Sequence, residues 1–200
     1  MESLRQRILS LKVLTPNDNE EDLYHNDKKY FVPEGALRRL LSSPEVQHEI
    51  PAILQNAKVE FYRQLEILDT INAGGYKIFG ILVVIDQMQY ITNFIETDLF
   101  LKRDLDSRIP LKLSDIEAII PCVESATKFY KVQWMFVAPV FGDDRSHRRL
   151  EDHAVLPFEK SEKLGQGGFG KVFKVTLHPD HQNLVSDVRA GVLQSFHPYN

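Results

Sequence analysis

The sequence is poor in most features that would announce a chemistry. It holds one cysteine, Cys122, in 200 residues. No intrachain disulfide can form, and with no activating neighbour in sequence Cys122 reads as a buried structural thiol in a reducing compartment rather than a nucleophile. Long apolar runs are also missing. The most apolar stretch, IFGILVVI from Ile78 to Ile85, is eight residues, against the roughly 18 that a membrane-spanning helix needs. The opening MESLRQRILSLKVL is charged at Glu2, Arg5 and Arg7 and lacks the apolar core and cleavage site of a secretory signal. Positive charge is not in excess: the formal net charge is −4, with lysine and arginine scattered rather than blocked, so the footprint of a nucleic-acid-binding protein is absent. These absences predict an intracellular, cytoplasmic protein with neither nucleic acid nor a membrane as its partner.

What is present is a chain 43% hydrophobic, enough to bury a core in one domain or two small ones. The first two-thirds has helical periodicity. Ser3 and Gln6 form a capping-box pattern ahead of Leu4, Ile8 and Leu11, and Thr15-Pro16 interrupts the stripe before a polar, acidic loop, Asn17 to Asp22. A second helix is expected from about Pro33, carrying Leu37, Leu40 and Leu41. Ser43-Pro44 then reads as an N-cap and first helical residue. From Pro51 to Ala73, Leu54, Ala57, Phe61, Leu65 and Leu68 recur at three and four, which predicts one helix with these residues on its packed face, ended by Gly74-Gly75. Tyr76 to Phe100 reads as a central buried helix. A charged loop, LKRDLDSRIP, follows, then a capping box in SDIE (Ser114 to Glu117) opening a helix that stops or bends near Pro121. The aromatic-rich Thr127 to Phe141 is expected in the core or on a packing face. GDDRSHRRLEDH, Gly142 to His153, is turn-rich and reads as a linker, and the domain boundary falls between about 142 and 155.

Beyond that linker the period changes from 3.6 to 2, and LGQGGFGKVFKV appears. Gly165, Gly167 and Gly170 spell G-x-G-x-x-G, which dinucleotide-binding folds and protein kinases share. A dinucleotide fold requires a helix after the glycines and an acidic residue about 20 positions on. Here Phe173, Val175 and Leu177 alternate with Val172, Lys174 and Thr176, the pattern of a strand. With Leu164 before the first glycine, Phe169 before the third and Val172 after it, the stretch Lys163 to Leu177 resembles the nucleotide-binding hairpin of protein kinases. The wider order of QWMFVAPVF, LPF (Leu156 to Phe158), the loop and HPDH (His178 to His181) resembles serine/threonine kinase-domain proteins of filamentous fungi. The resemblance implies that Leu164, Gly165, Gln166, Gly167, Gly168, Phe169, Gly170 and Val172 bind ATP, with magnesium. The glycines would cover the triphosphate, Phe169 would sit at the tip, and Leu164 and Val172 would pack on the adenine.

The remaining kinase parts are not in the sequence. No lysine follows Lys174, and neither D-F-G nor A-P-E occurs. HRRL (His147 to Leu150) has Arg149 where H-R-D-L has aspartate, and it precedes the glycine loop, so it reads as linker. His178 and His181, separated by a proline and without further ligands nearby, read as a polar turn rather than a metal site. The tail from Asn183 to Asn200 does not look like the next strand; the codons of Val185-Ser186 can resemble a splice donor, and the tail reads as unspliced or frame-shifted translation. The expected fold class is mainly α. Residues 1–150 form a helical N-terminal domain, an interaction or regulatory module with a protein partner. Residues 155–200 hold the first β-hairpin of a truncated kinase N-lobe, with its glycine-rich loop at 164–172, lacking catalytic residues. Such a hairpin is expected to be marginal unless it packs on the helical region.

Overall fold

A computed structural model of the chain describes residues 2–16, 28–97, 104–142, 150–167 and 170–184. The architecture is mainly α, with eight helices and three two-stranded sheets among those residues. Helix α1, Leu4–Ser10, starts as expected, with Gln6 N–H donating to Ser3 Oγ at 3.3 Å and Ser3 N–H donating to Gln6 Oε1 at 3.0 Å. Strands β1, Val13–Leu14, and β2, Tyr30–Phe31, pair antiparallel. Helix α2, Glu34–Leu41, follows Pro33, and α3, Pro44–Asn56, is capped by Ser43 with Pro44 in its first turn. The acidic loop expected from Asn17 to Asp22 lies outside the described residues.

The helix expected to run unbroken from Pro51 to Ala73 is two helices. The chain leaves α3 through Lys58, at φ 60°, and re-enters as α4, Phe61–Gly74. Val59 N–H donates to Leu54 O at 3.0 Å and Lys58 N–H to Gln55 O at 2.9 Å, the paired bonds of a Schellman C-cap. Both Leu54 and Val59 are buried, so an apolar contact closes the cap and supports a left-handed lysine. The break changes which face is packed. Phe61 and Leu65, expected on the buried stripe, face solvent, whereas Ile67 and Ile71 are buried.

Gly74 and Gly75 end α4 as expected, and α5, Tyr76–Val84, leaves at 114° to it. A Cβ on Gly75 would stand 3.2 Å from Leu105 Cδ1, so the corner is tight enough to favour glycine. The long helix expected to Phe100 stops at Val84. Asp86 takes φ 57°, Gln87 N–H donates to Leu82 O at 2.9 Å and Asp86 N–H to Val83 O at 3.2 Å, a second Schellman cap on a residue other than glycine. A 3₁₀ turn, Met88–Tyr90, and α6, Ile91–Glu96, follow. Among the described residues no single helix is long and apolar enough to cross a membrane.

The charged loop after Phe100 is structural in its described part. A 3₁₀ turn, Leu105–Arg108, buries Leu105 completely and brings Asp106 to the start of α5, where its carboxylate accepts from the N–H groups of Lys77 at 2.8 Å and Ile78 at 3.0 Å. At the other end of α5, Arg5 Nε donates to Val84 O at 2.7 Å. Helix α7, Leu113–Ile119, begins two residues earlier than the capping-box reading allows. Its N-cap is Lys112, and Ser114 lies within the first turn, so that box is not formed. The helix does end before Pro121. Helix α8, Val123–Gln133, buries Ala126, Phe129 and Gln133. Phe129 stacks on Phe94 at 5.1 Å, and Phe136 is buried just beyond the helix, as expected for the aromatic-rich segment. Gln133 is satisfied by bonding both the N–H and the C=O of Leu111, at 2.8 and 2.9 Å. The main core runs from Leu4 to Phe136 and includes all of α5 from Ile78 to Val84.

Withdrawal from water raises the Asp106 carboxyl to about 6 from 3.8, outweighing the two N–H groups that favour its charge. A group raised in this way adds stability that is complete below pH 3.8 and is lost as pH rises through about 6. Asp106→Ala is therefore expected to cost more at pH 4.5 than at pH 7.5, by about 2 kcal/mol, read from urea unfolding of both chains at each pH.

Candidate functional site

The glycine-rich stretch is a β-hairpin. Strand β4, Phe158–Gly167, pairs antiparallel with β5, Gly170–Leu177, and the register sets Gly165 opposite Val172, Gln166 opposite Lys171 and Gly167 opposite Gly170. The register shifts between Lys163 and Gly165, so Leu164 has no partner of its own. Gly170 takes φ 154° as it leaves the turn, where a side chain would be strained. A Cβ placed on Gly165 or Gly167 meets no atom within 4 Å, so the backbone there is open to approach. Gly168 and Phe169 lie outside the described residues.

The hairpin has a packed end and a free end. Phe173, Val175 and Leu177 share one face of β5, and burial grows toward the base, where Leu177 is buried. From Glu162 to Gly167 every residue is exposed, Leu164 at 51%. Of the residues expected to hold a nucleotide, Leu164, Gly165, Gln166, Gly167, Gly170 and Val172 share the outer half of one hairpin. Lys163, the nearest lysine to the glycines on β4, donates instead to Gln166 Oε1 at 2.8 Å. A polar hollow of about 480 Å³ lies lower on the hairpin, lined by Pro16, Lys160, Ser161, Glu162, Lys174 and Thr176.

The base is seated on the helical body by a group of contacts that no local pattern in the sequence foretells. The Thr15 hydroxyl donates to Leu156 O. After β5, a 3₁₀ turn, Pro179–His181, leads to β6, Gln182–Asn183, which pairs parallel with β3, Phe141–Gly142. The polar turn expected at HPDH is present, but its second histidine is buried. His181 is 1% exposed; its Nδ1 lies 3.2 Å from Pro139 O and its Nε2 is buried without a hydrogen-bond partner. Rings of His178 and His181 meet Phe31 edge-on at 5.6 and 5.3 Å. Between them Asp180 pairs with Arg39 at 3.2 Å and crowds the start of α2, where a Cβ on Gly35 would come within 2.6 Å of its carboxylate. Phe31, Ala138 and Val155 form a small second core beneath this seat. No group of three or more histidine, cysteine, aspartate or glutamate side chains suited to a metal occurs among the described residues.

Cys122 departs from expectation. It is exposed at the start of α8, and a side-chain hydrogen bond with Ser125, aided by backbone N–H groups, holds its thiol below the ordinary cysteine range. Most of the expected linker, 143–149 including His147, lies outside the described residues; its flanks are Gly142 at the end of β3 and Leu150 to His153.

No family model, curated protein or solved structure matches the chain.

Burial, outweighing its bond to Pro139 O, holds the imidazole of His181 below 6.5, with the neighbouring His178 pushing the same way. A histidine lowered in this way stabilises the docked hairpin above pH 6.5 and ceases to as pH falls through the lowered value. The base of the hairpin is expected to lose amide-exchange protection from Leu177 to Asn183 as pH falls below 6.5, and His181→Gln is expected to flatten that dependence.

Proposed function

We propose that the chain is a protein-kinase-family polypeptide of serine/threonine type. Its glycine-rich hairpin is the covering half of an ATP site carried on a helical module, and the chain transfers no phosphate as it stands. The observation behind this reading is the hairpin itself. Strand rather than helix follows the third glycine, Gly165 lies across from Val172, and the backbone at Gly165 and Gly167 is open. Glycine N–H groups so exposed can approach phosphate oxygens closely, and a left-handed position at the turn suits a loop folded over a ligand.

The residues present fit one wall of ATP and not the whole of it. Leu164 is half exposed, and Lys163 is turned to Gln166 within the hairpin; the strand lysine with which kinases pair the α- and β-phosphates has no counterpart after Lys174 in the sequence. Asn and Asp ligands for magnesium and the Asp that accepts the hydroxyl proton have no counterpart in this sequence. Intracellular location, with neither membrane nor nucleic acid as partner, belongs to the same proposal.

A second reading is favoured by a separate observation: the main core closes within residues 4–136 and draws on no described residue of the hairpin. On that reading the helical part is an interaction module for a protein partner, and the hairpin is a relic.

Titration of the chain with ATP and magnesium by calorimetry is expected to show no saturable binding, and saturable binding abolished by Gly165→Val would mean that the site is complete after all. Family membership is tested by sequencing the message through the codons for His181 to Asn200 and beyond. In-frame passage into V-A-I-K, H-R-D and D-F-G segments is the expected result, and a spliced message that still encodes Ser186 to Asn200 and contains none of them removes it. Residues 1–153 expressed alone are expected to unfold in one cooperative transition; a chain without such a transition would exclude the second reading.

A further inference from the structure

The break between α3 and α4 leaves an uncovered apolar face far from the hairpin. Phe61, Tyr62 and Leu65 are 85%, 77% and 73% exposed within the first two turns of α4. The other large apolar side chains exposed among the described residues, such as Leu14, Val123 and Leu164, belong to different elements. Three such side chains together are what an interaction surface presents, since isolated exposed residues are ordinary and clusters are not. Beside them a hollow of about 570 Å³ opens between α3 and α4, with Pro51, Ala52, Val59 and Phe61 in its lining.

The charge around this face selects its occupant. Glu60, Glu66 and Asp69 are exposed at the start and along the outer side of α4. Arg63, the only cation of α4, is engaged by Glu96 of α6. Lys58 and His48 line the hollow on its α3 side. A second copy of this face would bring three carboxylates against one exposed cation, Lys58, so like charges would predominate across the contact, and an anionic lipid surface would be repelled. A partner with apolar anchors and lysine or arginine beside them matches both the apolar and the acidic parts of the face. Anchors at positions 61, 62 and 65 and an adjoining hollow suit a helix laid across, with its own anchors at i and i+3 or i+4.

We propose that the outer face of α4, with the α3–α4 hollow, is a docking site for a basic amphipathic helix of another protein. It does not involve the glycine hairpin and stands whether or not ATP binds.

The test uses the full chain and two synthetic amphipathic helices of one pattern, one of leucine and lysine and one of leucine and glutamate, titrated by calorimetry. The lysine peptide is expected to bind. Its affinity should fall roughly tenfold or more with Leu65→Asp, by the loss of a central anchor. The paired change Glu66→Lys with Asp69→Lys should weaken it further and favour the glutamate peptide. Because Leu65 is exposed, the fold is expected to survive, and Tyr62→Ser supplies the same comparison should Leu65→Asp unfold. Absence of binding, equal binding of the two peptides, affinity indifferent to both substitutions, or a self-association of the chain that Leu65→Asp dissolves would each overturn the proposal.

Discussion

Everything else is arranged around the burial of α5 from Ile78 to Val84. A helix apolar on all sides cannot turn a polar face to water, so the polar groups at its two ends must be met by side chains from elsewhere. Asp106 takes N–H groups at its start and Arg5 donates to a carbonyl at its end. Each charge has the sign that the helix dipole favours at that end. Those two side chains come from segments 28 residues downstream of Ile78 and 79 residues upstream of Val84. Fixing α5 therefore fixes α1 and the turn after the Phe100 region along with it. The remaining helices close over the sides, and among the described residues the resulting core draws on none beyond 136.

The hairpin is attached to this body by a different kind of contact. Its seat is small, aromatic and titratable, where the core is large and aliphatic. Phe31 belongs to a short strand early in the chain, Pro139 follows α8, and His181 ends the hairpin excursion, so three distant stretches converge on one ring cluster. Removing the hairpin would expose Phe31 and leave Arg39 without Asp180. Burying a phenylalanine side chain contributes on the order of 2 kcal/mol, a minor share of what holds the helices together. Acid acts on the two parts in opposite senses, since protonation eases the buried Asp106 and charges the buried His181.

The sequence showed the composition of the fold more plainly than its breaks. Starts were legible where a side chain performs the cap locally, as at Ser3 with Gln6 and at Ser43 with Pro44. Stops were legible at Gly74-Gly75, where the residue type carries the conformation. They were hidden at Lys58 and Asp86, because both left-handed caps are held by backbone bonds, joined at Lys58 by the contact of Leu54 with Val59, rather than by a glycine. That single kind of omission merged two pairs of helices and put Phe61 and Leu65 on the wrong face. Ser114 to Glu117 shows the converse error, a capping pattern that packing moved into the helix interior. The hairpin was readable from strict alternation over Val172 to Leu177. Its seat was not, because burial of His181 depends on partners 42 and 150 residues away, Pro139 and Phe31. Asp106 was hidden in the same way, inside a stretch whose charges suggested solvent.

The length of β4 turns the seat into a pivot. Ten residues of extended strand reach roughly 30 Å, and only the lower part is held. A rocking of about 10° at the Phe31 and His181 contacts would carry the glycines through about 5 Å, close to the spacing between neighbouring strands. The outer half of the hairpin is thus a long pointer on a short axle. Its position in space is set less by its own hydrogen bonds than by two imidazoles and a carboxylate at its foot.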